Sequence, residues 1–477
     1  MAYERKQLIN GVIWSGIDKL GVIVVQLILE IVLARHLLPA DYGVIGIATI
    51  FIGLGSLFSE SGFSNALIQK QDRDEQDFST AFYFNLIISI TFVSITFLIA
   101  PYASNFFSTP ILTNVLRWLS VTIIFNSIVM VHKTKLSINL DFKTQAKISF
   151  VSLIISGSIG IALAIYGYGV WSLVVQIISL SVISAILLNY SLTWLPMTSF
   201  SIKSFKQLFG FGLKVLGAGL LHSIYVNLYY LFIGKKMSVS TLGIYTKSNQ
   251  FTLMPASLIS GILQRVMFPY FSSFQSDDNK IFQLNQNFTR IACLLIFPLF
   301  LFLASFARPL VYYGLSDKWL DAVDVIKILS FSMVFFPITV NNMILFQVKN
   351  KMNTFLYLEI LSKVIGGIIL LLTLSHGILA LCYGILVQQV LQFFITSISV
   401  QLLLNKSIFK QILIVLPYCI YGGVFYACIY YFESTFSNGY FTFFIVGSLL
   451  FILFYFLLYF VILRKQIMSL IQLFKLK

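Results

Sequence analysis

Ionisable side chains embedded in long apolar stretches are the residues of this sequence whose types and spacing could do chemistry. Lys19, Lys214, Lys247 and Arg265 each stand in such a stretch, where an ionised group costs roughly 2.5–3.5 kcal/mol on insertion scales unless it faces water or a partner. On the first stretch, at 100° per residue, Gly11, Ser15, Asp18, Lys19, Gln26 and Glu30 share an arc of about 120°. Trp14, Ile17, Val24 and Ile28 lie outside it. Further on, Lys214, His222, Tyr225 and Tyr229 fall within roughly 80° of one another on a helix. Lys247 and Arg265 are five helical turns apart, which places them on one face about 27 Å apart. Gln250, Ser257, Gly261 and Gln264 lie on or beside that face, and Pro255 can bend the helix midway. Ser56, Ser59, Glu60 and Asn65 form another polar group. A water-accessible cavity lined by the four basic residues would suit an anionic ligand such as a phosphate or diphosphate head group.

Each assignment has a purely structural alternative. Lys19 or Lys214 could pair with an acid on another helix, although Asp18 and Lys19, being adjacent, diverge and cannot neutralise each other within one helix. Lys247, Arg265, Arg290 and Arg308 have stems long enough to snorkel to an interface, the preferred reading for Arg290 and Arg308. His222 could be a packing residue, and Lys327, Glu359 and Lys363 fall near the ends of apolar stretches.

The elements that must position these groups follow from composition. Of 477 residues, 58% are hydrophobic and 10% charged, against roughly 45–50% and about 25% in soluble domains. A soluble fold this apolar would expose large greasy patches, so lipid is the fitting solvent. Apolar runs near the ~20 residues that a membrane helix needs lie at 8–34, 41–67, 78–101, 111–131, 144–166, 169–194, 205–233, 242–271, 288–312, 322–347, 353–375, 378–404, 411–432 and 440–463. The expected fold is therefore an all-α polytopic membrane protein of about fourteen transmembrane helices, twelve to fourteen once the tight turns at Tyr166–Gly169 and Ser375–Gly377 are considered. Cys293, Cys382, Cys419 and Cys428 sit in apolar segments without metal-ligand spacing and read as small hydrophobes.

A formal charge of +15 could suggest nucleic acid, but the basic residues punctuate apolar stretches instead of forming an arm. With the N-terminus inside, the inner connections and termini hold roughly 20 Lys and Arg against roughly 5 outside (Arg35, Lys235, Lys236, Arg308 and Lys318). That bias predicts both termini in the cytoplasm. Residues 464–477 read as a cytoplasmic amphipathic tail.

An internal repeat at an offset near 200 sets Leu38-Pro39-Ala40-Asp41-Tyr42-Gly43-Val44 beside Ser238-Val239-Ser240-Thr241-Leu242-Gly243-Ile244. The Tyr168-Gly169 turn likewise parallels His376-Gly377. Six spans per repeat predict two parallel lobes related by a pseudo-twofold axis along the membrane normal. The expected division is 1–196 for helices one to six, 197–405 for helices seven to twelve, and 406–463 for two further helices. Two lobes about a central cavity is a transporter's architecture.

Several stretches resemble bacterial polysaccharide exporters: Leu33-Ala34-Arg35-His36-Leu37-Leu38-Pro39-Ala40-Asp41-Tyr42-Gly43, then Phe58-Ser59-Glu60-Ser61-Gly62-Phe63-Ser64-Asn65-Ala66-Leu67-Ile68-Gln69 with Phe78-Ser79-Thr80-Ala81-Phe82, and Gly167-Tyr168-Gly169-Val170-Trp171-Ser172-Leu173. Together they resemble the Wzx-type polysaccharide flippases of the multidrug/oligosaccharidyl-lipid/polysaccharide exporter superfamily. The resemblance implies a bacterial inner-membrane protein that flips an undecaprenyl-diphosphate-linked oligosaccharide to the periplasmic leaflet by alternating access, for O-antigen, capsule or exopolysaccharide. Helices one, two, seven and eight would line its cavity. On that reading Lys19, Lys214, Lys247 and Arg265 hold the diphosphate, and Tyr225, Tyr229 and Gln250 contact sugar hydroxyls. Asp18, Glu30 and Glu60 are the carboxylates that could couple Na⁺ or H⁺. No cofactor or nucleic acid is expected; the partners are membrane lipid, the lipid-linked oligosaccharide and the pathway's polymerase and glycosyltransferases. A lipid II flippase, a cation-coupled drug exporter and a membrane glycan polymerase are the alternatives. The drug exporter would favour an acidic cavity, and the polymerase a large outer loop.

Overall fold

The structure is a computed structural model that describes residues 21–60, 62–407, 409–435 and 440–458. Asp18 and Lys19, most of the first apolar run and the tail 464–477 lie outside the described residues, as does the side chain of Lys214.

Among the described residues every regular element is helical. Residues 21–36 continue the first apolar run as helix α1. The chain continues as α2 (Pro39–Glu60), α3 (Phe63–Gln69), α4 (Glu75–Phe106), α5 (Leu112–Ile138), α6 (Phe142–Ile165), α7 (Val170–Ser191), α8 (Ile202–Lys236) and α9 (Val239–Ser272). After them come α10 (Asp278–Ser305), α11 (Ala307–Leu310), α12 (Ala322–Met333), α13 (Phe336–Val348), α14 (Met352–Thr373), α15 (Gly377–Leu404), α16 (Phe409–Thr435) and α17 (Tyr440–Leu458). Ten stretches are long and apolar enough to cross a bilayer, and one of them, Met352–Leu404, holds both α14 and α15. The protein is a multi-pass all-α membrane protein, as its composition predicts.

Local chemistry explains the breaks. The two tight turns are real: Gly167, Gly169 and Gly377 have φ of +81°, +55° and +89°, a region that glycine enters without steric cost. The run 41–67 is divided instead of continuous, because Gly62 at φ +70° ends one helix and starts α3. The run 322–347 is likewise two helices, with Pro337 in the first turn of α13, where its missing N–H costs nothing. Four helix starts carry side-chain caps: Asp74 with Asp77 on α4, Asp141 on α6, Ser201 on α8 and Asp277 on α10. Each satisfies a backbone N–H left without an intrahelical partner.

By internal packing the chain forms two compact units, Met1–Thr246 and Lys247–Lys477. In the first, the connection after α7 is stitched to the start of α4. Trp194 Nε1 donates to Glu75 at 2.6 Å, Thr198 Oγ1 donates to the Glu75 carbonyl at 3.2 Å, and the Ser201 amide donates to Thr80 Oγ1 at 3.1 Å. Lys135 reaches Glu75 at 2.7 Å, and Lys70 reaches the fully buried Asp77 at 2.7 Å. Beside this polar clasp Phe63, Phe84, Phe205 and Phe209 pack ring against ring, with Phe84 and Phe205 centroids 4.9 Å apart.

The second unit is built around an apolar core on α10, α13, α15 and α16. That core encloses a neutral amide network. Asn342 donates to Thr396 at 3.3 Å and to Ser397 at 3.1 Å, and accepts from Gln411 at 2.9 Å and Asn285 at 3.4 Å. Asn341 donates to Asn285 Oδ1 at 2.6 Å. Buried amides of this kind tie membrane helices together where the hydrophobic effect between them is absent.

Candidate functional site

Within the first unit, the expected sugar-contacting tyrosines lie in a four-ring cluster. Tyr225 and Tyr229, one turn apart on α8, have hydroxyls 3.3 Å apart and rings edge to face at 5.8 Å. Tyr229 stacks on Tyr245 of α9, 6.4 Å between centroids and 10° between planes, and Tyr230 meets Tyr245 edge-on at 5.8 Å. Tyr229 and Tyr245 are buried and Tyr225 and Tyr230 half-buried. The buried pair fixes the orientation of the partly open pair, which offers ring faces and hydroxyls, the groups that hold sugars.

The candidate carboxylates have different settings. Glu30, half-buried on α1, accepts a hydrogen bond from the Tyr42 hydroxyl at 3.5 Å. Glu60, the last residue of α2, is exposed and interacts electrostatically with Lys133 of α5, which is also exposed. His222 on α8 is exposed.

In the second unit Lys247 and Arg265 occupy one continuous helix, α9, with Pro255 and Pro269 inside it. They differ sharply in exposure. Lys247 is fully buried, donates to Gln250 Oε1 at 3.4 Å and lies 5.5 Å from the centre of the Phe251 ring. Arg265 is exposed, as is Gln264 beside it. A lysine ammonium held in the interior against an amide oxygen and an aromatic face is an unusual expenditure of solvation energy.

The remaining charges of this unit are largely spoken for. Arg308 and Lys327 each approach Glu433 at 3.9 Å, Lys327 also approaches Asp324 at 3.8 Å, and Lys363 pairs with Glu359 at 3.2 Å. The Lys327 group borders a cavity of about 400 Å³ lined also by Tyr383, Tyr426 and Tyr430. All four cysteines are free; Cys293 and Cys382 are buried, whereas Cys428 is exposed on its apolar helix.

The residues that sequence reasoning did not select are Tyr42, Lys133 and Tyr245. Lys133 had been assigned to an inner connection because hydropathy falls at residue 131, yet α5 runs on to Ile138. Tyr245 carried a usable signal: it stands two positions before Lys247 in a chain segment already marked by the repeat.

Comparison with known structures defines the class. The fold is similar to a solved lipid II flippase MurJ in an inward closed conformation, with a TM-score of 0.77 over 95% of this chain and 100% of that one at 15% identity. It is also similar to an inward-facing multidrug resistance MATE family transporter of the MOP superfamily, with a TM-score of 0.60 over 82% and 99% of the two chains at 15% identity. The architecture is thus the helical fold of these membrane transporters. The polysaccharide biosynthesis protein family matches residues 32–324, and the chain belongs to that family. Among its relatives are the teichuronic acid biosynthesis protein TuaB of Bacillus subtilis (24% identical; 68% of each chain) and the succinoglycan biosynthesis transport protein ExoT of Rhizobium meliloti (23%; 69% of this chain and 67% of that one). The lipopolysaccharide biosynthesis protein WzxC of Escherichia coli is 20% identical over 68% of this chain and 66% of its own.

Proposed function

We propose that this protein flips undecaprenyl-diphosphate-linked oligosaccharide repeat units from the cytoplasmic to the periplasmic leaflet by alternating access, supplying the synthesis of a surface polysaccharide. The observation that carries the reading is the family match over residues 32–324 on a chain with a transporter fold. The work is transport, not bond chemistry. The protein resides in the bacterial inner membrane with both termini in the cytoplasm, and its two six-helix repeats, 1–196 and 197–405, are the moving bodies, with 406–463 as added helices.

In this mechanism Lys19, Lys214, Lys247 and Arg265 capture the diphosphate by charge, while the lipid tail stays in the bilayer. The exposure of Arg265 and the burial of Lys247 suit sequential roles: Arg265 meets the head group first and Lys247 engages it deeper, beside Gln250. The half-buried Tyr225, positioned by Tyr229, contacts sugar hydroxyls. Asp18, Glu30 and Glu60 are the candidates for Na⁺ or H⁺ coupling. A lipid II flippase is the second reading, favoured by the MurJ-like fold; the sequence relatives named above belong instead to polysaccharide pathways.

The test is a clean deletion in the source organism. Loss of surface polysaccharide with accumulation of the complete lipid-linked repeat unit in the inner leaflet is expected, and growth continues. Arrest of cell-wall synthesis with normal polysaccharide would overturn the assignment.

A further inference from the structure

The starts of α2 and α9 cross so closely that only glycine fits. A Cβ added at Gly43 would lie 1.8 Å from the Val239 carbonyl oxygen, and one added at Gly243 would lie 1.7 Å from the Pro39 carbonyl oxygen. The contact is reciprocal: each glycine rests on the carbonyl four residues before the other. The repeat offset of 200 relates Gly43 to Gly243 and Pro39 to Val239, so the sequence symmetry is expressed as a two-fold backbone contact. Three residues on, a Cβ at Gly46 would lie 2.8 Å from Thr246 Oγ1.

The polar groups around the crossing are satisfied within their own helices. Asp41 accepts from the Leu38 amide at 2.9 Å, and Ser238 accepts from the Thr241 amide at 3.0 Å. Thr246 donates to the Leu242 carbonyl at 2.7 Å, and Thr49 to the Gly46 carbonyl at 2.8 Å. Parting the two helices therefore strands none of these groups, which would otherwise cost about 1–3 kcal/mol each. What is given up is backbone contact of the Cα–H···O type, about 0.5–1 kcal/mol apiece. A seam with shape specificity and little polar commitment is suited to opening and closing. Both helix starts follow connections that the basic-residue bias places on the outer side.

We propose that the Gly43–Gly243 crossing is an outer latch: it closes that side backbone to backbone and parts once in each transport cycle. Gly43 and Gly243 are positioning residues for the closed state. The proposal rests on the transport reading, since a latch has meaning only in a protein that alternates.

The test uses full-length protein with Cys293, Cys382, Cys419 and Cys428 replaced by serine, carrying Gly46→Cys and Thr246→Cys. The 2.8 Å from the added Cβ to the Thr246 oxygen resembles the Cβ-to-sulfur separation across a disulfide. Copper-phenanthroline oxidation should cross-link the pair and lower flipping of lipid-linked oligosaccharide at least tenfold, with recovery under reductant. Adding Gly43→Ala or Gly243→Ala should cut the cross-linking rate at least tenfold. Gly53→Ala, where an added Cβ meets nothing within 4 Å, should leave it unchanged. On Thr246→Cys alone, Gly43→Ala should raise labelling by an impermeant maleimide from the outer face at least tenfold.

Failure to cross-link, full flipping by fully cross-linked protein, or labelling unmoved by Gly43→Ala overturns the latch. If Gly43→Ala does not fold, the disulfide pair alone decides. Reduced protein that flips no substrate counts against the transport reading, and the labelling result still judges the latch.

Discussion

Lys247→Met separates a binding charge from a structural one. Methionine roughly conserves the length and volume of the buried side chain, so packing around α9 persists. Its partner Gln250 is half-buried and its other neighbour is a ring, so no acid is named there whose charge would be stranded. Replacing a buried charged group by a well-packed apolar one is commonly neutral or stabilising. Stability should therefore hold or rise. Binding should not. A unit charge about 4 Å from a phosphate oxygen contributes about 4 kcal/mol at an effective dielectric near 20, and half of that, surviving screening by water and the other basic groups, still corresponds to about thirty-fold in affinity. The assay pairs thermal unfolding of the detergent-purified protein with competition by diphosphate-bearing lipid in the same preparation. Unchanged melting with at least tenfold weaker competition is expected. Melting that falls by several degrees with competition intact would make Lys247 a structural residue and refute the capture mechanism at this position.

Further perturbations test the frame and the carboxylates. Asn342→Leu removes four hydrogen bonds from the amide network. At about 0.6 kcal/mol each, it should destabilise the second unit by about 2–2.5 kcal/mol, read by steric-trap or denaturant unfolding, while leaving affinity unchanged. Lys70→Ala leaves Asp77 fully buried without its 2.7 Å partner and should cost about 3 kcal/mol, whereas Lys70→Met combined with Asp77→Asn should recover most of it. Burial alone would lower the affinity of Lys70 for its proton, but the hydrogen bond and charge of Asp77, with Asp72 and Asp74 nearby, hold it above its ordinary value of 10.5. A raised value keeps the contribution intact below 10.5 and loses it only as pH climbs through the folded value, so the Lys70→Ala penalty should be equal at pH 6 and pH 9. Glu60→Gln should flatten the dependence of flipping on an imposed Na⁺ or H⁺ gradient if Glu60 couples the ion. Lys133→Met should then shift the gradient needed for half-maximal flipping, whereas a structural pair would change melting alone.

Hydropathy made the helices legible because lipid imposes one requirement on each of them, an apolar length near the bilayer thickness. It could not see past the apolar stretch. α10 begins at Asp278, ten residues before the expected 288, because Asp277 caps an amphipathic first section whose polar residues depress the window. The division of 41–67 at Gly62 was invisible for the opposite reason, since one glycine at positive φ scarcely changes mean hydropathy. The tyrosine pair on α8 was readable from its four-residue spacing, but Tyr245, which orients it, comes from another helix, and single-helix periodicity carries no such information. The repeat was legible in Gly43 and Gly243 as a sequence match; that the match encodes a backbone crossing emerged only when both helices were placed together.

The most direct measurement is flipping in proteoliposomes containing the purified full chain, with fluorescent undecaprenyl-diphosphate oligosaccharide in one set and lipid II in another, under an imposed Na⁺ or H⁺ gradient. The account predicts protein-dependent movement of the oligosaccharide-linked lipid, at least tenfold slower in Arg265→Ala, and little movement of lipid II. Rapid flipping of lipid II with the oligosaccharide-linked lipid stationary, or oligosaccharide flipping undiminished in both Arg265→Ala and Lys247→Met, would contradict it.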